Sequence, residues 1–138
     1  MAIKNLGKVV PQKGVDYFTE EDIKGIVDSG SNDNGTWIKF ADGTMIQYGY
    51  KIMQNINIET VWGNVYESKV QYDFGEFAQP FLEAPLLFVT QFSGSTMYPE
   101  TFSGTTTTTK LGQTWFWSPV VRASKTFEFY YLAIGKWK

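Results

Sequence analysis

Two stretches of this chain are greasy on both sides of an extended backbone. Leu86-Leu87-Phe88-Val89 carries apolar residues at every position. Between Phe127 and Ile134, the rings of Phe127, Phe129 and Tyr131 alternate with Tyr130, Leu132 and Ile134. Trp115 and Trp117 bracket Phe116 in a similar way. Neighbouring side chains of a strand point to opposite faces, so such strands need cover on both. One cover is the facing sheet of a sandwich. The expected second cover is another copy of the chain. The alternative is an amino-terminal segment folded back over the sheet.

The rest of the pattern agrees with strands. Aromatic residues make up 17% of the 138 positions, and aromatics favour strands and bury large areas. Asp42-Gly43 predicts a tight hairpin. With a two-residue loop it pairs Phe40 with Met45, Lys39 with Ile46, Ile38 with Gln47 and Trp37 with Tyr48. Alternation puts Ile52, Ile56 and Ile58 on one face, against Asn55, Asn57 and Glu59 on the other. It also turns Val70, Tyr72 and Phe74 inward and Lys69, Gln71 and Asp73 outward. Pro80 and Pro85 flank a connection, because proline donates nothing to a ladder. Thr105 to Thr109 fits either a strand or a loop.

The first 30 residues read differently. Thr19 stands before Glu20, Glu21 and Asp22, a hydroxyl cap followed by acids where the helix dipole favours them. Ile23, Ile26 and Val27 follow at helical spacing, and Gly30 supplies a stop. Ser29 to Gly35 reads as a polar linker. The expected organisation is therefore an extension with a short helix over 1–30 and an antiparallel β-sandwich over 31–138.

Several function classes lose support. The chain has no Cys and no His. That removes the thiolate nucleophile, the common triads and the usual zinc ligands. No phosphate-binding loop or dinucleotide fingerprint is present. The net charge is -2 without a dense basic run, so nucleic acid is not an expected partner. No apolar run approaches the roughly 18 residues of a membrane span, so membrane insertion is not expected. Asp33, Asp42, Glu59, Glu67, Asp73, Glu76, Glu83 and Glu100 are scattered, and read as solvated groups. Asp33 and Asp42 lack the Asp-x-Asp spacing of a calcium loop. The expectation is a binding protein, not an enzyme, with no cofactor.

Three segments resemble one family. Asn34-Gly35-Thr36-Trp37-Ile38-Lys39-Phe40-Ala41-Asp42-Gly43, continuing through Ile46-Gln47-Tyr48-Gly49, resembles the opening of C-terminal domains in bacteriophage tail fibres. Phe77 to Thr90, with Phe81 and Ala84-Pro85, is similar to a central stretch of the same domains. Tyr131-Leu132-Ala133-Ile134-Gly135-Lys136-Trp137-Lys138 resembles their ending. Lys13 to Thr19 is similar to connector sequence in tail and baseplate proteins. The resemblance covers residues 34 to 138. It implies a β-sandwich assembled as a homotrimer at a fibre tip, with a strand layout similar to that of H-type lectins. It also implies a place in the virion tail and contacts to other tail or baseplate proteins through the N-terminus. The family name does not supply the receptor; the expected ligand is a bacterial surface polysaccharide or teichoic acid.

A sugar offers an apolar C–H face to aromatic rings and hydroxyls to polar side chains. Rings in or near loops are the candidates for that contact: Trp62, Tyr66, Tyr98, Trp115 and Trp117. A ligand-free trimer cap of the fibre and a depolymerase with paired carboxylates are the competing expectations.

Overall fold

The computed structural model describes residues 25–92, 97–99 and 105–138. Within them the chain is all-β, and every strand pairing is antiparallel. The strands are β1 (Ile26–Asn32), β2 (Gly35–Phe40), β3 (Thr44–Ile58), β4 (Thr60–Trp62), β5 (Val65–Glu67), β6 (Tyr72–Asp73), β7 (Leu86–Gln91), β8 (Tyr98–Pro99), β9 (Gln113–Thr114), β10 (Phe116–Ser118) and β11 (Arg122–Lys136). A five-stranded sheet runs β1-β2-β3-β11-β7. A four-stranded sheet, β4-β5-β10-β8, and the small pair β6-β9 supply the other strands.

The core lies against the inner face of the large sheet. Met45, Phe127, Phe129, Tyr131 and Ala133 project from β3 and β11 and are buried. Phe74, Phe77, Phe81, Met97, Leu111 and Phe116 meet them from the other elements. Phe74 stands edge-on to Phe129 at 4.9 Å, and Phe116 edge-on to Phe127 at 4.8 Å. These are favoured ring geometries, each adding about 0.5–1.5 kcal/mol beyond area burial. The connection between Pro80 and Pro85 is not a strand, as its prolines require, yet its Phe81 ring plugs the core.

The hairpin at Asp42-Gly43 forms with a longer loop than two residues. Only Gly43 takes positive φ, at 86°. Its N–H donates to the Phe40 carbonyl, and Asp42 Oδ1 accepts from Thr44 N at 2.8 Å. The loop is therefore Ala41-Asp42-Gly43, and pairing moves by one residue. Lys39 faces Met45, Ile38 faces Ile46, Trp37 faces Gln47 and Thr36 faces Tyr48.

Two bulges explain a second departure. Between Ile56 and Met53, β3 spends one residue more than β11 does between Lys125 and Phe127. Between Lys125 and Arg122 the excess lies on β11. Asn55 (φ 59°) and Ser124 (φ 47°) occupy the left-handed region at these points. The shifts cancel, so overall register is kept, but parity reverses along β3. Ile56 and Ile58 are buried as expected, whereas Ile52 faces outward. Val70 is likewise exposed. Ser68 interrupts its strand: the Ser68 hydroxyl accepts from Phe116 N and donates to the Val70 carbonyl. Tyr72 and Phe74 keep the inward direction.

The helix expectation fails where it can be checked. Ile26, Val27 and Gly30 lie in β1, paired with β2; Thr19 to Ile23 lie outside the described residues. Lys39 Nζ and Trp37 Nε1 both bind Asp28 Oδ2, and these bonds hold the Asp28 carboxyl below its ordinary pKa. Tertiary pairing thus overrides helical spacing. Residues 29–35, read as a linker, are strand and turn, so the division at residue 30 falls inside β1. The turn is tied down by Asn32 Nδ2 on the Ala78 carbonyl and by the Tyr131 hydroxyl on the Asn34 carbonyl. Thr105 to Thr109 is a loop whose Thr108 and Thr109 carbonyls accept from Phe81 and Phe77.

One buried polar side chain joins the layers. Gln47 Nε2 donates to the Gln79 carbonyl at 2.7 Å, and Gln47 Oε1 accepts from Gln79 N at 3.0 Å. Gln47→Leu keeps the volume and strands both Gln79 groups, so it is expected to cost about 2–4 kcal/mol by denaturant unfolding. A loss below about 0.5 kcal/mol would contradict the clamp.

Tyr131 gives a second test. Burial pushes its phenol up to about 12. The folded state holds this proton more tightly than the unfolded chain does. The contribution is therefore fully present below the ordinary value of 10.0 and is lost as pH rises toward about 12. The stability difference between the protein and Tyr131→Phe should narrow across that window. A constant difference would show that the buried phenol is not linked to folding.

Candidate binding surfaces

The outer face of the large sheet is apolar and uncovered by the described chain. From β3 it presents Ile46, Tyr48, Tyr50 and Ile52. From β11 it presents Tyr130, Leu132 and Ile134, and from β7 Leu86 and Phe88. The cross-strand register aligns them: Tyr130 with Tyr50, Leu132 with both Tyr48 and Phe88, and Ile134 with both Ile46 and Leu86. Leu86 is 62% exposed, Phe88 51% and the neighbouring Phe92 63%. The rings of Tyr50, Phe92 and Tyr130 pack on one another with centroids 5.3–6.4 Å apart. Among the described β3, β7 and β11 residues of this face, the charged groups are Glu128 and Lys136. The Tyr50 hydroxyl donates to Glu128 Oε1 at 2.7 Å, a bond that raises the Tyr50 pKa. A contiguous apolar face of this kind marks an interaction surface.

The five rings selected from sequence gather around the four-stranded sheet. Trp62 ends β4, Tyr66 is in β5, Tyr98 opens β8 and Trp117 is central in β10; Trp115 stands just before β10 and is half-buried. Opposed residues of an antiparallel pair share a face. Trp117 opposes Glu67 on one side and Tyr98 on the other. Tyr98 stacks on Trp117 at 4.7 Å with the planes 29° apart. Glu67 opposes Thr60, so Trp62, two residues on, belongs to the same face. Trp62 is 54% exposed. Tyr66 opposes Ser118 and points the other way, packing against the core. Sequence thus located an outward set of Trp62, Tyr98 and Trp117, and a ring, Tyr66, used in packing.

A third feature was not legible in sequence. The β1–β2 hairpin stops at Asp33-Asn34, while β3 continues to Ile58 with β11 on one flank only. The step leaves a notch of about 370 Å³ lined by Asp33, Tyr50, Lys51, Ile52, Met53, Asp73, Phe74 and Gly75. An adjoining depression of about 390 Å³ shares Asp33 and Tyr50 and extends to Tyr48 and Tyr130. In the notch Lys51 Nζ donates to Asn34 Oδ1 at 3.0 Å. Burial lowers the Lys51 pKa, with the Glu76 and Asp73 charges opposing it. Asp73 accepts from Gly75 N through Oδ1 and meets Lys110 Nζ through Oδ2 at 3.4 Å. The strand bulge, the hairpin length and the β6 turn create this site together, and no local spacing announces it.

Among the described residues no group of three or more acidic side chains is placed to hold a metal ion. No protein-family model, no curated protein and no solved structure matches the chain.

The Tyr98–Trp117 stack has a direct test. A double-mutant cycle with Tyr98→Ala and Trp117→Ala should give a coupling of about 0.5–1.5 kcal/mol in unfolding free energy. Strict additivity would mean that the rings do not stack in solution.

Proposed function

We propose that this chain forms the tip of a bacteriophage tail fibre, assembled as a homotrimer that binds a bacterial cell-surface glycan. The observation that carries the reading is the uncovered apolar face shared by β3, β11 and β7. A face with so little charge is matched best by the same face on sister chains, because each copy brings an identical need for cover. The end motifs that resemble tail-fibre domains support the same assignment. They also form one structural unit: Trp137 N donates to the Gly43 carbonyl and Trp137 Nε1 to the Phe40 carbonyl. In this reading the N-terminal extension joins other tail or baseplate proteins.

Glycan contact falls to the outward rings Trp62, Tyr98 and Trp117 on the opposite layer, which assembly through the large sheet leaves free. Three weak sites on one rigid tip act together at a cell surface, so avidity depends on the assembly.

The experiment compares the protein with Leu132→Glu and Trp117→Ala in a host-cell binding assay. Leu132→Glu places a charge in the apolar face. It should keep its fold by circular dichroism, run as a single chain, and bind cells at least about tenfold more weakly through lost avidity. Trp117→Ala should keep the assembly and lose adhesion. Binding that survives both substitutions would contradict the proposal, and so would a wild-type protein that binds neither cells nor wall polysaccharide.

A further inference from the structure

The apolar outer face of the large sheet carries a carboxylate, Glu128, with no cation beside it among the described residues. We infer that Glu128 makes assembly through this face proton-dependent, tight when its carboxyl is neutral and weak when it is charged. The inference rests on the assembly reading above and adds a control to it.

Glu128 stands among apolar neighbours. Ile52 opposes it on β3. On the other flank Phe92 N donates to the Glu128 carbonyl, which places Phe92 opposite it, just past β7. The rings of Tyr50, Phe92 and Tyr130 pack on one another at the same spot. The chain alone already half-buries Glu128, and its Oε1 accepts from the Tyr50 hydroxyl at 2.7 Å. The titratable groups that face it are thus the Tyr50 and Tyr130 phenols. Cations lie elsewhere. Lys51 and Lys125 oppose Phe129 and Ile56, two residues of the core, so both belong to the inner side. Lys136 shares the outer face but sits at the far end of β11, roughly 27 Å away along an extended strand. It donates to the Asp42 carbonyl and to Thr44 Oγ1.

A sister chain laid on this face takes water away from the carboxylate. One hydroxyl bond does not replace that hydration, and a buried charge without a counter-ion is strongly unfavourable. The neutral acid loses far less and keeps the Tyr50 bond. Assembly therefore takes up a proton at Glu128 in each chain. The assembled state holds this proton more tightly than the separated chain does. Association is fully favoured at low pH, where both states are protonated, and weakens as pH rises through the range in which the covered carboxyl ionises.

The test is sedimentation equilibrium of the full-length protein and of Glu128→Gln at about pH 5 and about pH 8, with folding checked by circular dichroism. The amide keeps an acceptor for Tyr50 and carries no charge. Wild-type association should be at least about tenfold weaker at the higher pH. Glu128→Gln should associate equally at both, and at least as tightly as the wild type does at the lower. Dilution calorimetry of the wild type in two buffers of different ionisation enthalpy should show release of up to about one proton per chain at the lower pH, a count that needs no variant. Association that ignores pH, or no proton release, would overturn the control. So would a Glu128→Gln that keeps the wild-type pH dependence, which places the titration elsewhere. A Glu128→Gln that associates more weakly at both values would overturn it as well, because a sister cation would then be pairing with the carboxylate. Each of these results leaves the assembly reading standing. Single-chain mass for both proteins at both pH values would overturn both readings.

Discussion

Strand β11 is apolar on two sides, and the described residues of the chain cover one of them. Its inward rings, Phe127, Phe129 and Tyr131, are sealed by Phe74, Phe77 and Phe116. Its outward set, Tyr130, Leu132 and Ile134, lies between the equally apolar outer residues of β3 and β7. Inner burial fixes the register of the sheet, because a slip of one residue would exchange the two faces. The same register then lines up the outer residues into a continuous patch. The core and the apolar outer face are thus two consequences of one ladder.

That ladder is held to its register by local devices. The paired bulges at Asn55 and Ser124 let β3 and β11 twist and yet return to step. Close approach does the rest: a Cβ on Gly49 would stand 2.7 Å from Tyr131 Cε1, so this ring passes over the backbone only where glycine leaves room. The C-terminal tryptophan closes the sheet end, with the Lys39 and Lys138 ammonium groups 5.5 and 5.2 Å from its ring. Such contacts explain why the opening and closing motifs of the sequence stand together in space.

Much of the fold was legible before any coordinates. Strand periodicity, the Asp42-Gly43 turn, the proline-flanked connection and the two-faced strands are short-range signals, and short-range chemistry decides them. Ile26 and Val27 were not legible, because pairing with β2 outweighed their helical spacing. Ile52 and Val70 were misplaced by features invisible to alternation: a residue in the left-handed region at Asn55 and a side-chain hydroxyl standing in for backbone at Ser68. The candidate residues divide in the same way. Trp62, Tyr98 and Trp117 were singled out by residue type, and strand pairing sets them on one face of the four-stranded sheet. Asp33, Lys51 and Asp73 were not, because only the unequal lengths of β2 and β3 bring them together.

If water-exposed grease on β3, β7 and β11 is covered by sister chains, association is a property of the native protein. Sedimentation equilibrium over a wide dilution series measures this most directly. The account predicts a species of three times the chain mass that persists to low micromolar concentration. A folded species of single-chain mass throughout the series would contradict it.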